Sequence, residues 1–219
     1  MKKKLMLICL SLLGMSSIAS AQVKISGQAG LNFSSVSSDD TDVAELLGSK
    51  LGFSIGAQIE KDINDKLYFT AGANYSSKGY SVELTTDIPG FFKIESTGTS
   101  SLNYIEIPVN LGYRIGDRVT LQAGPYIGFL AGVSNYVKTT ELDYTTGVTT
   151  TAEDTDNDKT GISSTDFGLN LGAGINLSES LAIKLNYGFG MADLNDDNTA
   201  TYYLKNNVTS VGIAYTFKK

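Results

Sequence analysis

Apolar and polar residues alternate along much of this chain. In DFGLNLGAGINL, residues 166–177, every odd-numbered residue is apolar and every even-numbered residue is small or polar. Successive side chains of a β-strand point to opposite faces, so this period of two predicts a strand with one apolar and one polar face. The pattern recurs in seven further segments, at 23–35, 50–60, 67–82, 102–113, 119–133, 181–191 and 207–217. We therefore predict an all-β protein of about eight strands.

The connections between these segments also alternate. Long acidic or Ser/Thr-rich connections lie at about 36–49, 85–100, 138–163 and 193–201, and short ones at about 60–66, 116–118 and 178–180. Each segment is near the 9 to 11 residues that a tilted strand needs to cross a bilayer. Long loops at one end and tight turns at the other predict an eight-stranded antiparallel transmembrane barrel with long outer loops and short periplasmic turns.

Two of the short connections predict their own register. Ile115 and Val119 continue apolar faces, as do Leu177 and Leu181, and each pair encloses three residues. Directly opposed residues of an antiparallel pair share a face, and three-residue loops are common in hairpins. We predict that each pair lies opposite.

The N-terminus predicts export. Lys2, Lys3 and Lys4 precede an apolar run that ends near Ile18, and small residues follow at 19–21. This is the pattern of a secretory signal peptide, so we expect a signal peptide at 1–21 and a barrel domain at 22–219. The only cysteine, Cys9, lies inside that apolar run after Ile8, which argues against a lipoprotein.

The polar face indicates which way the apolar face points. A soluble barrel of lipocalin type would carry its apolar face inside and many charges outside. The mid-strand polar positions here are instead mostly Gly, Asn, Ser, Thr and Gln, which suit the crowded interior of a narrow barrel. Aromatic residues also fall in two groups along the apolar face, as in the girdles of membrane barrels: Phe33, Phe53, Tyr75, Phe129, Phe167 and Phe189 toward the long loops, and Tyr113, Tyr215 and Phe217 toward the turns. We predict that the apolar face meets lipid.

Composition argues against several functions. Without the three signal lysines, 14 basic residues face 23 acidic ones, a balance of −9, which argues against nucleic-acid binding. The chain has no histidine, so the commonest general base and a Ser-His-Asp triad are absent. We expect neither an enzyme nor a cofactor.

Five segments carry a resemblance to a known family: NYSSKGYS at 74–81, LNYIEIPVNLGY at 102–113, AGPYIGFLAG at 123–132, DFGLNLGAGI at 166–175 and a terminal VGIAYTF. In these segments the chain resembles the PorT-like small outer-membrane β-barrel proteins of Bacteroidota. The resemblance implies an eight-stranded barrel in the outer membrane. The family's namesake is linked to protein secretion, whereas most members have no assigned role.

Four charged residues are candidates for an interior network. Glu106 and Lys184 are predicted to project inward at mid-strand, with Lys24 and Arg114 nearer the turns. Isolated charge in a narrow lumen is costly, so we expect these residues to pair and to pack the barrel. An ion path or proton relay is the alternative.

Two further patterns have ordinary interpretations. Pro108 and Pro125 each remove a ladder hydrogen bond, and the predicted register sets Pro108 opposite Tyr126, which indicates a local bulge. EDTDNDKTG at 153–161 begins like a calcium loop but has Lys159 where glycine is required. It reads as a solvated acidic loop on a negative outer rim, which divalent ions could bridge to lipopolysaccharide.

The sequence thus predicts an outer-membrane protein of a Gram-negative bacterium with a non-enzymatic structural or interaction role. Its expected partners are outer-membrane lipid and lipopolysaccharide, together with other envelope or secretion proteins. An accessory role in protein secretion and a narrow solute pore remain as alternatives. An open porin is disfavoured because eight strands leave room only for side chains, with Tyr104, Tyr126 and Leu130 available to fill it.

Overall fold

The computed structural model describes residues 23–196 and 201–217, so the predicted signal peptide lies outside the described residues. The described chain forms nine strands and one short helix: β1 (Val23–Ser38), α1 (Thr41–Leu46), β2 (Leu47–Asp62), β3 (Leu67–Ile88), β4 (Phe92–Ile115), β5 (Val119–Asp143), β6 (Thr149–Asp156), β7 (Thr165–Asn176), β8 (Leu181–Gly190) and β9 (Leu204–Phe217). None of the described helices is long and apolar enough to cross a membrane.

Eight of these strands close into an antiparallel ring. The order β4-β3-β2-β1-β9-β8-β7-β5 is completed by pairing between β4 and β5, and β6 pairs with β5 outside the ring. The first and last strands are neighbours, with Ile25 opposite Phe217. The predicted eight-stranded barrel is confirmed.

The predicted hairpin registers are also confirmed. Ile115 lies opposite Val119, and Pro108 lies opposite Tyr126. The Leu177 amide donates a hydrogen bond of 2.8 Å to the Leu181 carbonyl. The β4–β5 ladder has no pairs between Pro108–Tyr126 and Leu111–Ala123, the interruption expected where proline lacks an amide hydrogen.

The strands β3, β4 and β5 are much longer than a bilayer crossing, at 22, 24 and 25 residues. Most of the predicted loop at 85–100 belongs to β3 and β4, and the predicted loop at 138–163 contains the end of β5 and all of β6. The loop prediction was wrong here because it followed the apolar stripe of the lipid belt, whereas β-branched threonines continue the strands in water.

Burial separates the two faces of the barrel wall. The outward face is apolar and exposed in the isolated protein, as lipid-facing residues must be; examples are Phe33, Leu171 and Ile213. The inward face is polar and buried, as at Asn32 and Thr70. The predicted direction of the apolar face is therefore confirmed.

Candidate functional site

A buried ion cluster crosses the barrel lumen. The Lys78 ammonium on β3 lies 2.9 Å from Asp166 Oδ2 on β7 and forms a second ion pair with Glu106 on β4. The side chains of Lys78 and Asp166 are 3 % and 0 % exposed. Removing charges from water is costly, so such a cluster is maintained only when its charges are paired and hydrogen-bonded.

Three neighbouring side chains complete this cluster. The Tyr126 hydroxyl donates to Asp166 Oδ2 over 3.3 Å, and the Asn206 amide donates to the same oxygen over 3.1 Å. The Lys78 ammonium also lies 4.5 Å from the centre of the Tyr126 ring and 5.4 Å from that of Tyr104. These distances suit cation–π attraction. Five strands, β3, β4, β5, β7 and β9, are thereby tied together through the lumen.

Directly beyond this cluster, toward the long connections, the lumen is filled by apolar side chains. We call this group the plug: Val36, Leu102, Tyr104, Val133 and Leu194, with Leu47, Tyr80, Leu130, Ile162 and Leu204 packed against them. Tyr104 is fully buried, and Leu102 lies opposite Lys78 in the β3–β4 ladder. Apolar packing of this kind narrows the lumen at the level of the plug.

On the turn side of the ion cluster the lumen is polar and contains two cavities. The inner one, of about 100 Å³, is lined by residues such as Gln28, Asn74 and Glu106, and polar groups of this kind suit ordered water. The outer one, of about 350 Å³, lies among the turns. Gln58 and Lys184 line both cavities.

A second charged group surrounds the outer cavity. Lys24 pairs with Glu60 at 3.0 Å and with Asp62 at 3.2 Å, and Arg114 pairs with the same two carboxylates. The guanidinium of Arg114 also lies 4.5 Å from the centre of the Tyr68 ring. These side chains are partly exposed, so water weakens the attraction between them.

The Tyr68 ring lies across the inward side of Gly112. A side chain at residue 112 would overlap that ring, because a Cβ atom there would meet three ring carbons. This glycine is therefore required by the close approach of Tyr68.

The four residues predicted from the sequence are all inside the barrel, but they do not form one network. Glu106 pairs with Lys78, whereas Lys24 and Arg114 share Glu60 and Asp62 at the turn end. Within the described part of the chain, Lys184 makes no ion pair within 4.0 Å.

Lys78 and Asp166 were missed by the sequence analysis. Both lie on the polar face of an alternating segment, at 67–82 and 166–177. Their even-numbered positions therefore predicted inward side chains, and this was the feature of the sequence that could have identified them. They are 88 residues apart, so neither hairpin register nor local pattern brings them together. Only closure of the ring does so.

Outside the lipid belt, β3 to β6 continue as a four-stranded sheet. This projecting sheet comprises residues 81–88, 92–99, 134–143 and 149–156. On β3 and β4, the face that continues the lumen side carries apolar residues such as Val82, Leu84 and Ile94. On β5 and β6, the same face carries the carboxylates Glu141, Asp154 and Asp156. The opposite face becomes charged: Glu83, Asp87, Lys93, Glu95, Lys138 and Glu153. The outward face is thus charged in this sheet, as expected where the outer surface meets water instead of lipid.

Turns and loops at this end are organised by carboxylates. Asp143 accepts hydrogen bonds from the amides of Thr145, at 2.7 Å, and Thr146, at 3.1 Å. These bonds stabilise the carboxylate, and the pKa of Asp143 is lowered, chiefly by the amide of Thr146.

In the loop that resembled a calcium site, Asp158 accepts hydrogen bonds from the amide and the hydroxyl of Thr160. The described residues contain no group of three or more acidic side chains placed to hold a metal.

The family model described as "Outer membrane protein beta-barrel domain" matches residues 17–196. No curated protein matches the chain.

Several solved structures are similar to this chain at low identity. The attachment invasion locus protein Ail of Yersinia pestis, in complex with the heparin analogue sucrose octasulfate, is 15 % identical, with 89 % of this chain and 99 % of Ail covered and a TM-score of 0.43. Neisserial surface protein A is 18 % identical, with 88 % and 97 % covered and a TM-score of 0.38. OprG from Pseudomonas aeruginosa is 14 % identical, with 91 % and 98 % covered and a TM-score of 0.39.

The family match covers most of the chain, including all strands except β9. It agrees with the closed antiparallel ring and the lipid-facing apolar surface. The chain belongs to the outer membrane protein beta-barrel domain family and is a β-barrel protein of the outer membrane of a Gram-negative bacterium.

Proposed function

We propose that this protein is a closed, non-enzymatic barrel that anchors the projecting sheet at the outer surface of the outer membrane, where the sheet contacts another molecule. The observation that carries the proposal is the plug above the Lys78 ion cluster. A packed lumen cannot conduct solutes, so the role belongs to the surfaces of the protein. The projecting sheet offers an ordered surface outside the lipid belt.

Two measurements test this proposal. The purified barrel, reconstituted into planar bilayers, should give no conductance steps, because the plug fills the lumen.

A shortened variant, in which turns replace residues 83–95 and 137–154, should still fold and insert, since the ring pairs do not depend on those residues. Proteins that co-purify with the native chain from cross-linked membranes should be absent from the shortened variant. Steady conductance by the native chain would contradict closure, and unchanged co-purification would contradict a role for the sheet.

A second candidate function is an accessory role in protein secretion. The PorT-like segments, above all the IEIP stretch at 105–108 in β4, support placement among PorT-like proteins of Bacteroidota. Deletion of the gene should then leave secreted proteins in the periplasm. Normal secretion by the deletion strain would reject this candidate.

We also propose that the chain is exported by the signal peptide at 1–21 and cleaved before Gln22. N-terminal sequencing of protein from the outer-membrane fraction would give Gln22 as the first residue. An intact N-terminus would contradict the cleavage.

A further inference from the structure

The outer strand of the projecting sheet has an open edge. β6 pairs along its length with residues 135–142 of β5, and in the described part of the chain no strand lies on its other side. All eight of its residues are exposed. An edge strand presents unpaired amide and carbonyl groups on alternate residues, which can hydrogen-bond to another extended chain.

Features that commonly protect an edge are scarce in β6. Its sequence, TTTAEDTD, contains neither lysine nor proline, and its register with β5 runs without a bulge. Four of its residues are threonine, whose branched side chain favours extended backbone. The edge is therefore suited to strand pairing and limited chiefly by its charge.

That charge is concentrated at one end of β6. Glu153 lies opposite Lys138, and the two side chains are 3.7 Å apart. Asp154 and Asp156 lie on the other face, opposite the uncharged Val137 and Asn135. A strand added to the free edge of β6 would lie on the side away from β5. A basic residue of that strand would supply the positive charge that β5 does not place opposite Asp154 and Asp156.

A second copy of this chain does not fit the edge. It would bring the same carboxylates against the edge and would repel. Two copies in one membrane would also be related by a rotation axis along the membrane normal. Such a rotation keeps the direction of each strand relative to the membrane, so the β6 strands of the two copies could not run antiparallel. The occupant should therefore be a different polypeptide.

We propose that the free edge of β6 binds an extended, basic segment of another protein by strand addition, with lysine or arginine opposite Asp154 and Asp156. This proposal rests on the proposed function and specifies the partner that the projecting sheet takes. Backbone hydrogen bonds along the threonines would supply attachment, and the two carboxylates would select the charge of the segment.

A synthetic peptide of alternating threonine and lysine, as long as β6, is the probe. Binding to the full chain in lipid nanodiscs would be followed by fluorescence anisotropy, with an alternating threonine and glutamate peptide for comparison. We expect the lysine peptide to bind and to slow hydrogen exchange of amides 149–156. The double variant Asp154→Lys/Asp156→Lys should weaken binding by about tenfold or more, because both charge pairs become repulsive.

The matched control is Asp42→Lys/Glu45→Lys, which makes the same change of charge on exposed residues of α1. It should bind the lysine peptide as the native chain does. Equal weakening in both variants, binding without slower exchange at 149–156, or no binding would each overturn the proposal. If the native partner proteins are lost from the shortened variant but kept by Asp154→Lys/Asp156→Lys, the edge proposal fails while the proposed function stands.

Discussion

The Lys78 ammonium lies 2.9 Å from Asp166 Oδ2, although the two residues are 88 positions apart and belong to strands that do not pair with each other. This contact spans the lumen of the barrel, whereas the ladder hydrogen bonds run around its wall. Together with Glu106 it divides the apolar plug from the polar cavities. The contact should therefore contribute both to stability and to closure.

Replacing Lys78 by methionine should be strongly destabilising. The substitution leaves Glu106 and Asp166 buried without their cation, which costs about 3–5 kcal/mol when one partner of a buried ion pair is removed. Urea unfolding in detergent micelles, followed by the heat-dependent gel shift of folded barrels, would measure the loss. The control is Lys24→Met, whose ion pairs are partly exposed and should contribute less than about 1 kcal/mol. Equal stability of the two variants would contradict the role of Lys78.

Replacing Glu106 by alanine should be milder. Lys78 keeps its contact with Asp166, so the cation stays paired while one ion pair is lost. We expect a lower unfolding midpoint than that of the native chain, a higher one than that of Lys78→Met, and unchanged permeability of vesicles that contain the protein, since the plug remains. Unchanged denaturation in detergent would refute this prediction.

Replacing Tyr104 by alanine should open the lumen. Its ring is fully buried in the plug, and removal of a buried aromatic side chain costs about 3–5 kcal/mol and leaves a cavity. Planar bilayer recordings should show conductance steps that the native barrel lacks. Tyr215→Ala, at an exposed aromatic residue of the outer wall, serves as the control and should remain closed. A silent Tyr104→Ala barrel of reduced stability would show that the other plug residues suffice for closure.

A lysine in place of Leu171 should oppose insertion. Leu171 lies at mid-strand on the outward face of β7, opposite Ala123 and Tyr187, and a lipid-facing lysine near the bilayer centre costs about 2–4 kcal/mol. Folding yield into lipid vesicles would report the effect. Thr97→Lys, on the charged face of the projecting sheet, should fold like the native chain. Similar yields for both variants would mean that Leu171 does not face lipid.

Acid should loosen the turn between β5 and β6. The pKa of Asp143 is lowered from its ordinary value of 3.8, so its ionised form stabilises the folded turn above that value, and this stability is lost as the pH falls through the lowered pKa. Hydrogen exchange of the Thr145 and Thr146 amides, corrected for the intrinsic pH dependence, should become less protected only in that acidic range. The Asp143→Asn variant should show little such change. Constant protection down to the most acidic pH would contradict the assignment.

The ring and its tight turns could be predicted from the sequence, because a period of two and a three-residue hairpin loop are local properties. Ile115 opposite Val119 and Pro108 opposite Tyr126 follow from counting along one hairpin. The Lys78 cluster could not be obtained in this way, since its members meet across the lumen and the pattern gives only the face on which each lies. The projecting sheet was missed for a different reason: its outward face is charged, so the apolar stripe that identified the strands ends where the membrane ends.

With the lumen closed at the plug, as proposed above, the remaining interior is a cavity that opens among the turns, near Arg118, Ser178 and their neighbours. Outer-membrane barrels place these turns in the periplasm. The solvent around Lys24 and Lys184 therefore has the ionic composition of the periplasm. A charged amine-modifying reagent that does not cross the membrane would reach these lysines from inside the cell envelope and not from the medium, which makes the interior of this barrel, in chemical terms, an extension of the periplasmic space.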